Sequence, residues 1–331
     1  RYIPLSTSTY LTALVNFSYT DESVGKQLTY TWTEAYNTIL NCNVVIDNVD
    51  KSSGVLTDQE AKVIKGEMLA VRAFLHFDML RLFGPVYKNK PDAESIPYNE
   101  SIKVSALPLL TADTVIHEKI LRDLDEAESL LEGNDPVIEN GPMASLDDDQ
   151  EVYSRYRQLR FNYYAVLGLK ARVYLYANDK VNAQKYAEII YNTYAPKTGE
   201  TRPWGFTSSG SVYPAGKPES SVKLIDDLLF ALYDDRLASK VEEYKTNNYT
   251  SLYLNGIKDL YSREMDLDDY RMNLIESSSN KETIVKWNDI GSTTTANQRQ
   301  YKFIPMLRLS EIYYILSECY AANGFPTEAE E

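Results

Sequence analysis

No run of about eighteen apolar residues occurs anywhere in the 331 residues, so no segment reads as a membrane-spanning helix. Positive charge is scarce as well. Against 48 Asp and Glu stand 34 Lys and Arg, a formal net charge of −14. Nucleic-acid backbones are bound by basic surfaces, so this balance excludes nucleic acid as a partner and argues against an anionic lipid surface. Acidic, solvated faces account for it. Cysteine and histidine occur twice each. Cys42 and Cys319 lie among apolar neighbours in helical patterns and read as free buried thiols; spacing alone says nothing of a disulfide between them. Two histidines leave little room for a histidine metal site. There is no glycine-rich phosphate loop and no Ser–His–Asp order. No signal peptide is present and Arg1 is not an initiator, so the sequence reads as starting inside a longer chain, and TEAEE stops it within a helical pattern.

The apolar fraction of 44% and the charged fraction of 25% are those of a globular protein with a sizeable core. Tyrosine is in excess, with 27 copies. Its apolar body and polar tip suit helix packing and also ligand contact.

The most patterned stretch is Gly66 to Gly84, GEMLAVRAFLHFDMLRLFG. At 100° per residue, Met68, Leu69, Val71, Phe74, Leu75, Leu80, Leu82 and Phe83 surround much of the axis, which describes a helix wedged between neighbours. Lys62, Lys65, Arg72 and His76 form one narrow polar stripe, and Glu67, Asp78 and Arg81 another. Asp78 and Arg81 are three apart and can pair. Gly84 and Pro85 stop the helix.

Around it the chain reads as mainly helical. Residues 1–20 show no period and read as extended or loop. Residues 22–49 carry Trp32, Tyr36, Ile39, Leu40 and Asn43 at helical spacing. A turn at Lys51–Thr57 leads to a cap at Thr57 or Asp58, giving an antiparallel helix pair. Pro85–Pro108 reads as a long surface connection. Thr111 or Asp113 opens a helix with its stripe at Val115, Ile116, Ile120, Leu121, Leu124, Ala127, Leu130 and Leu131, ended by Gly133. Residues 132–151 are acidic and turn-rich. Residues 156–192 form a second helix pair broken at Asp179. Its Leu167, Ala171, Tyr174 and Ala183 repeat at the intervals of Tyr313, Ser317, Tyr320 and Ala329. That agreement points to a tetratricopeptide-like solenoid of helix pairs. Residues 194–304 break the pattern with Gly, Pro, Ser and Asn clusters and short β-like pieces such as Thr283–Trp287. The expected architecture is therefore a single, mainly all-α domain, its helical scaffold over 22–193 and 305–331, with a large loop-rich insertion over 194–304 and a few short strands.

The Gly66–Gly84 segment resembles the hallmark of the SusD/RagB family, in Gly66, Glu67, Arg72, Ala73, Phe77, Asp78, Arg81, Phe83 and Gly84. It departs at Val71 and His76, where the family usually carries Leu and often Tyr. Trp32, Tyr36, Ile39 and Asn43; Asp123, Leu124 and Ala127; Ala171–Ala183; Asp269 and Arg271; and Leu307–Glu318 resemble further family elements in the same order. The resemblance implies a non-catalytic lipoprotein of the outer-membrane surface of Bacteroidetes, anchored by a lipidated cysteine upstream of Arg1. It implies that the protein captures oligosaccharide or polysaccharide and delivers it to a SusC-like, TonB-dependent transporter. It carries over no ligand residue.

The ligand residues must come from chemistry. A pyranose face stacks on an aromatic ring, and flanking polar groups fix its hydroxyls. Arg202, Trp204, Phe206 and Tyr213 lie together in an unpatterned, glycine-rich stretch, with packing of Trp204 onto the scaffold as the alternative. Asn248, Tyr249 and Tyr253 form a second candidate group. Trp287 reads as core, and so does Trp32, on a family core position. Arg72, Asp78 and Arg81 read as helix-packing pairs. Asp266, Asp268 and Asp269 lack the glycine and terminal glutamate of an EF-hand loop, so solvated caps are expected, no cofactor is, and calcium is the minor alternative. Two other functions fit the helices, a tetratricopeptide-type adaptor for peptide or protein and, with two facing carboxylates, a glycoside hydrolase.

Overall fold

The computed structural model describes residues 2–4, 9–52, 54–103, 105–141, 155–194, 225–246, 252–254, 275–278, 281–284, 302–325, 327 and 329. By contact the chain divides into two compact units, one of residues 31–205, 228–231 and 306–331, the other of residues 1–30, 206–227 and 232–305.

The first unit is built of helices. α2 spans Glu22–Val49, entering this unit at Thr31, and α3 spans Asp58–Phe83. Thr57 caps α3 as expected: its hydroxyl accepts from the Glu60 N–H while the Glu60 carboxylate accepts from the Thr57 N–H, a closed capping box. The contacts Trp32 with Phe83, Tyr36 with His76, Asn43 with Arg72 and Asp50 with Lys65 run up α2 as they run down α3, so the pair is antiparallel. α3 is buried at Leu69, Ala70, Ala73, Phe77 and Leu80, as an apolar stripe wider than one face requires.

α3 packs chiefly on α5 (Leu121–Leu131), α5 on α7 (Tyr163–Tyr176), α7 on α8 (Lys180–Tyr194), and α8 on α10 (Leu309–Asn323), each helix serving its neighbours in turn. Of the repeated spacing, Leu167, Ala171 and Ala183 are fully buried, and the Ser317 hydroxyl donates to the Ala329 carbonyl at 2.6 Å. Two glycines of the hallmark stretch are explained by close approach. A Cβ on Gly66 would lie 2.8 Å from Leu131 Cγ and 3.3 Å from the Ala127 carbonyl oxygen, and one on Gly84 would lie 2.6 Å from the Leu80 oxygen that the Gly84 N–H bonds.

Two readings of this unit need correction. The helix opened by Thr111 is not uniform: α4 (Ala112–Thr114) passes through a π-helical stretch, Val115–Ile120, into α5. The buried apolar positions are 112, 115 and 116, then 120, 121, 124, 127 and 131, one residue out of phase across the join, and the extra residue of a π-turn absorbs that slip. The Pro85–Pro108 connection is not all surface, for Ile96 and Tyr98 are buried against the helices. A short helix, α6 (Val137–Asn140), follows α5.

The second unit holds an antiparallel four-stranded sheet in the order β1 (Tyr2–Pro4), β3 (Leu252–Leu254), β5 (Lys281–Ile284), β4 (Ile275–Ser278). β1 and β3 pair Tyr2 with Leu254 and Pro4 with Leu252, and β4 and β5 pair Ile275 with Ile284 and Ser278 with Lys281. The first twenty residues are therefore not all extended or loop: α1 (Thr9–Val15) follows β1 and buries Leu11 and Ala13. Of the β-like piece Thr283–Trp287, only its start lies in β5; residues 285–287 fall outside the described residues. α9 (Leu237–Thr246) adds a helix within 194–304. A two-stranded sheet pairs β2 (Leu228–Tyr233) with β6 (Phe303–Arg308).

Candidate functional site

The charges of the hallmark helix are spent on packing. The Arg72 guanidinium donates to both Asp123 carboxylate oxygens at 2.7 and 2.9 Å and to the Asn43 side-chain oxygen at 2.9 Å, while the Tyr98 hydroxyl donates to Asp123 at 2.7 Å. His76 is buried beside them, stacked on Tyr98 with ring centroids 3.8 Å apart. Its Nε2 accepts from the Asn99 N–H at 3.0 Å, so Nδ1 carries the proton and donates to the Arg72 carbonyl at 2.9 Å. Burial pushes its pKa down to about 4, against the pull of that carbonyl and of Asp123. Glu67 and Asp135 hold Arg157, which is 0% exposed, at 2.5 Å and at 2.8 and 3.0 Å respectively. Asp135 also accepts from the backbone N–H groups of Val137 and Tyr163. Lys170 lies 4.1 Å over the Tyr186 ring and pairs with Asp125 and Glu128. The Arg72 and Arg157 networks fix helix α3 against its neighbours, and the Lys170 pairs tie α7 to α5. Asp78 and Arg81 pair at 3.4 Å on the surface of the same helix.

Of the residues chosen for glycan contact, Arg202, Trp204, Phe206, Tyr213, Asn248 and Tyr249 lie outside the described residues, as do Trp287, Asp266, Asp268 and Asp269. Tyr253 is central in β3, opposite Ile3 of β1. Among the described residues no group of three or more His, Cys, Asp or Glu side chains is placed to hold a metal ion, and no helix is long and apolar enough to cross a membrane. Cys42 and Cys319 are free and buried, each thiol pushed up to about 11 by burial.

Two features bear on recognition. One is a cleft of about 370 Å³ at the α2–α3 turn, with Val49, Leu56 and Leu130 as apolar wall and Asp50, Lys62 and Lys65 as polar rim. The other went unread in the sequence. α1 ends in a Schellman turn, in which the Ser18 N–H donates to the Ala13 carbonyl at 2.8 Å and the Phe17 N–H to the Leu14 carbonyl at 3.1 Å. Phe17 takes the left-handed conformation (φ 57°) that this position demands and glycine normally fills. Phe17 is 72% exposed and Tyr19 61%, their ring centroids 6.4 Å apart and the rings inclined at 54°. The signal available was the alternation in Asn16-Phe17-Ser18-Tyr19-Thr20, which has no period to bury it.

Residues 6–138 match the SusD-like family model described as starch-binding and associating with the outer membrane. No curated protein matches the chain. A SusD superfamily protein of Bacteroides thetaiotaomicron superposes with a TM-score of 0.64 at 20% identity, over 90% of this chain and 63% of its own. A SusD-like carbohydrate binding protein of Bacteroides vulgatus does so with 0.61 at 21%, over 91% and 59%. A structure solved with xylogluco-oligosaccharide gives 0.57 at 16%, over 89% and 60%. The chain thus spans about six-tenths of the length of these solved structures. Residues 6–138, which hold the buried Arg72–Asp123 pair, are thus similar to the SusD-like family, and the chain has the fold of these SusD superfamily structures.

Proposed function

We propose that this protein is a non-catalytic glycan-binding protein of the outer-membrane surface, which captures oligosaccharide or polysaccharide and passes it to a TonB-dependent transporter. The observation that carries the reading is the match of residues 6–138 to a family described as starch-binding and outer-membrane-associated. The superfamily fold and the similar structure that holds a xylogluco-oligosaccharide support it. So does the engagement of Glu67, Asp123 and Asp135 by arginines, which leaves these buried carboxylates no acid–base role. Capture works by stacking sugar faces on aromatic rings while polar neighbours bind the hydroxyls. Trp204, Phe206 and Tyr213 supply the rings and Arg202 the hydrogen bonds, with Asn248, Tyr249 and Tyr253 as a second group. A lipidated cysteine upstream of Arg1 holds the protein at the membrane, and no cofactor takes part. Affinity is modest, because each captured hydroxyl is first stripped of water.

Affinity electrophoresis in gels containing starch or xyloglucan tests the reading. Retardation of the wild-type protein is expected, with loss of retardation and an unchanged melting temperature in a Trp204→Ala, Tyr213→Ala variant. Wild-type mobility unchanged in both gels overturns the function, and a fully retarded variant overturns the site. The adaptor alternative has one observation in its favour, the cleft rimmed by Asp50, Lys62 and Lys65. It requires peptide binding that survives loss of Trp204 and Tyr213.

A further inference from the structure

The turn between α1 and α2 is anchored at both ends. The Schellman bonds close α1, and Asp21 caps α2 by accepting from the Ser23 N–H at 2.9 Å, while its own N–H donates to the Ser18 carbonyl at 3.1 Å. Nothing in this arrangement calls for a phenylalanine at position 17. The left-handed backbone there disfavours any residue with a Cβ, and glycine meets no such penalty. The ring is not repaid by burial either, since Phe17 and Tyr19 stand out from the surface. A bulky side chain kept in a disfavoured backbone conformation and left in solvent is a pointer to function.

We propose that Phe17 and Tyr19 form a second carbohydrate-stacking platform, separate in sequence from the group at 202–213, that contacts neighbouring sugar units of a glycan chain. The inference rests on the glycan-binding reading. Its chemistry fits a sugar better than other occupants. The two rings are inclined at 54°, so they offer two faces to a chain that turns between units and no single flat face. They are interleaved with Asn16, Ser18 and Thr20, all exposed, whose amide and hydroxyl groups match a ligand rich in hydroxyls. The centre of a protein-docking patch is by contrast depleted in serine. An anionic lipid surface is disfavoured by the charge of −14.

The test is built on Phe17→Gly, which removes the ring and relieves the backbone together. The full chain carrying Phe17→Gly, Tyr19→Ser or both is compared with wild type by thermal melting, starch and xyloglucan affinity electrophoresis, and analytical ultracentrifugation. The expected result is a melting temperature for Phe17→Gly at or above that of wild type, with retardation weakened about three- to tenfold for each ring removed. Full retardation of the double variant beside a retarded wild type overturns this platform and leaves the glycan reading standing. An unretarded wild type overturns both. A wild-type dimer that the double variant loses, with retardation unchanged, makes the patch a contact between copies and overturns the platform.

Discussion

Arg72 and Asp123 meet side-on, two guanidinium nitrogens on two carboxylate oxygens, inside the contact between α3 and α5. Breaking a buried pair from one side strands the other charge. Arg72→Met or Asp123→Leu alone is therefore expected to destabilise the protein by about 3–5 kcal/mol in urea unfolding. The double variant recovers part of that loss, because neither charge is left. A double variant as unstable as the sum of the singles contradicts the account.

Gly66 lies where α3 meets α5 too closely to admit a Cβ. Gly66→Ala improves helix propensity by about 1 kcal/mol but drives a methyl into Leu131 and the Ala127 carbonyl, at about 1–3 kcal/mol. Net destabilisation is expected at Gly66, where the same substitution at an open helical site stabilises. An increase in the urea midpoint shows that Leu131 yields freely.

His76 gives the fold a specific acid sensitivity. Its folded pKa, about 4, lies below the unfolded value of 6.5. The unfolded chain therefore takes up the proton first as pH falls. The histidine's contribution is fully present above pH 6.5 and is lost progressively down to pH 4, by an amount on the order of 3 kcal/mol. Unfolding midpoints at pH 7 and pH 4.5 are expected to differ less in His76→Gln than in wild type. Equal differences remove His76 as the source.

Gln158 is 1% exposed, and neither its Oε1 nor its Nε2 has a hydrogen-bond partner among the described residues. A buried amide without partners opposes folding by about 1–3 kcal/mol. Gln158→Met keeps the length and discards the amide, so a gain in stability is expected. A loss in calorimetric melting shows instead that bound water satisfies the amide.

Both thiols combine burial with a pKa near 11. At pH 8 neither Cys42 nor Cys319 is expected to react with a thiol reagent in the native protein, and both react in denaturant. Rapid native labelling of one of them identifies a local opening of its helix.

What could be read from the sequence depended on period. α2, α3, α5, α7 and α8 each bury a stripe, and a stripe repeats. α1 was missed because a helix from Thr9 to Val15 is too short to show two turns of pattern and carries β-branched threonines. Ile96 and Tyr98 were missed because an extended segment is buried one side chain at a time. The π-turn left a trace, the phase slip between Ile116 and Ile120, that reads as noise until the helix is seen. The structural character of Arg72 was legible from its place on a buried helix, but its partner Asp123 was not, because the pairing depends on which helices stack. The left-handed backbone and the exposure of Phe17 leave no periodic trace in the sequence.

The pairing of Tyr2 with Leu254 sets a timetable. Synthesis runs from the N-terminal to the C-terminal side, so β1 exists long before β3 does. The stacked helices from α2 to α8 join segments nearer in sequence and can assemble as they emerge, whereas β1 waits as an unpaired strand, open to wrong partners, until residues 252–254 arrive. β1 is thus made early yet gains its partner only once residues 252–254 have emerged.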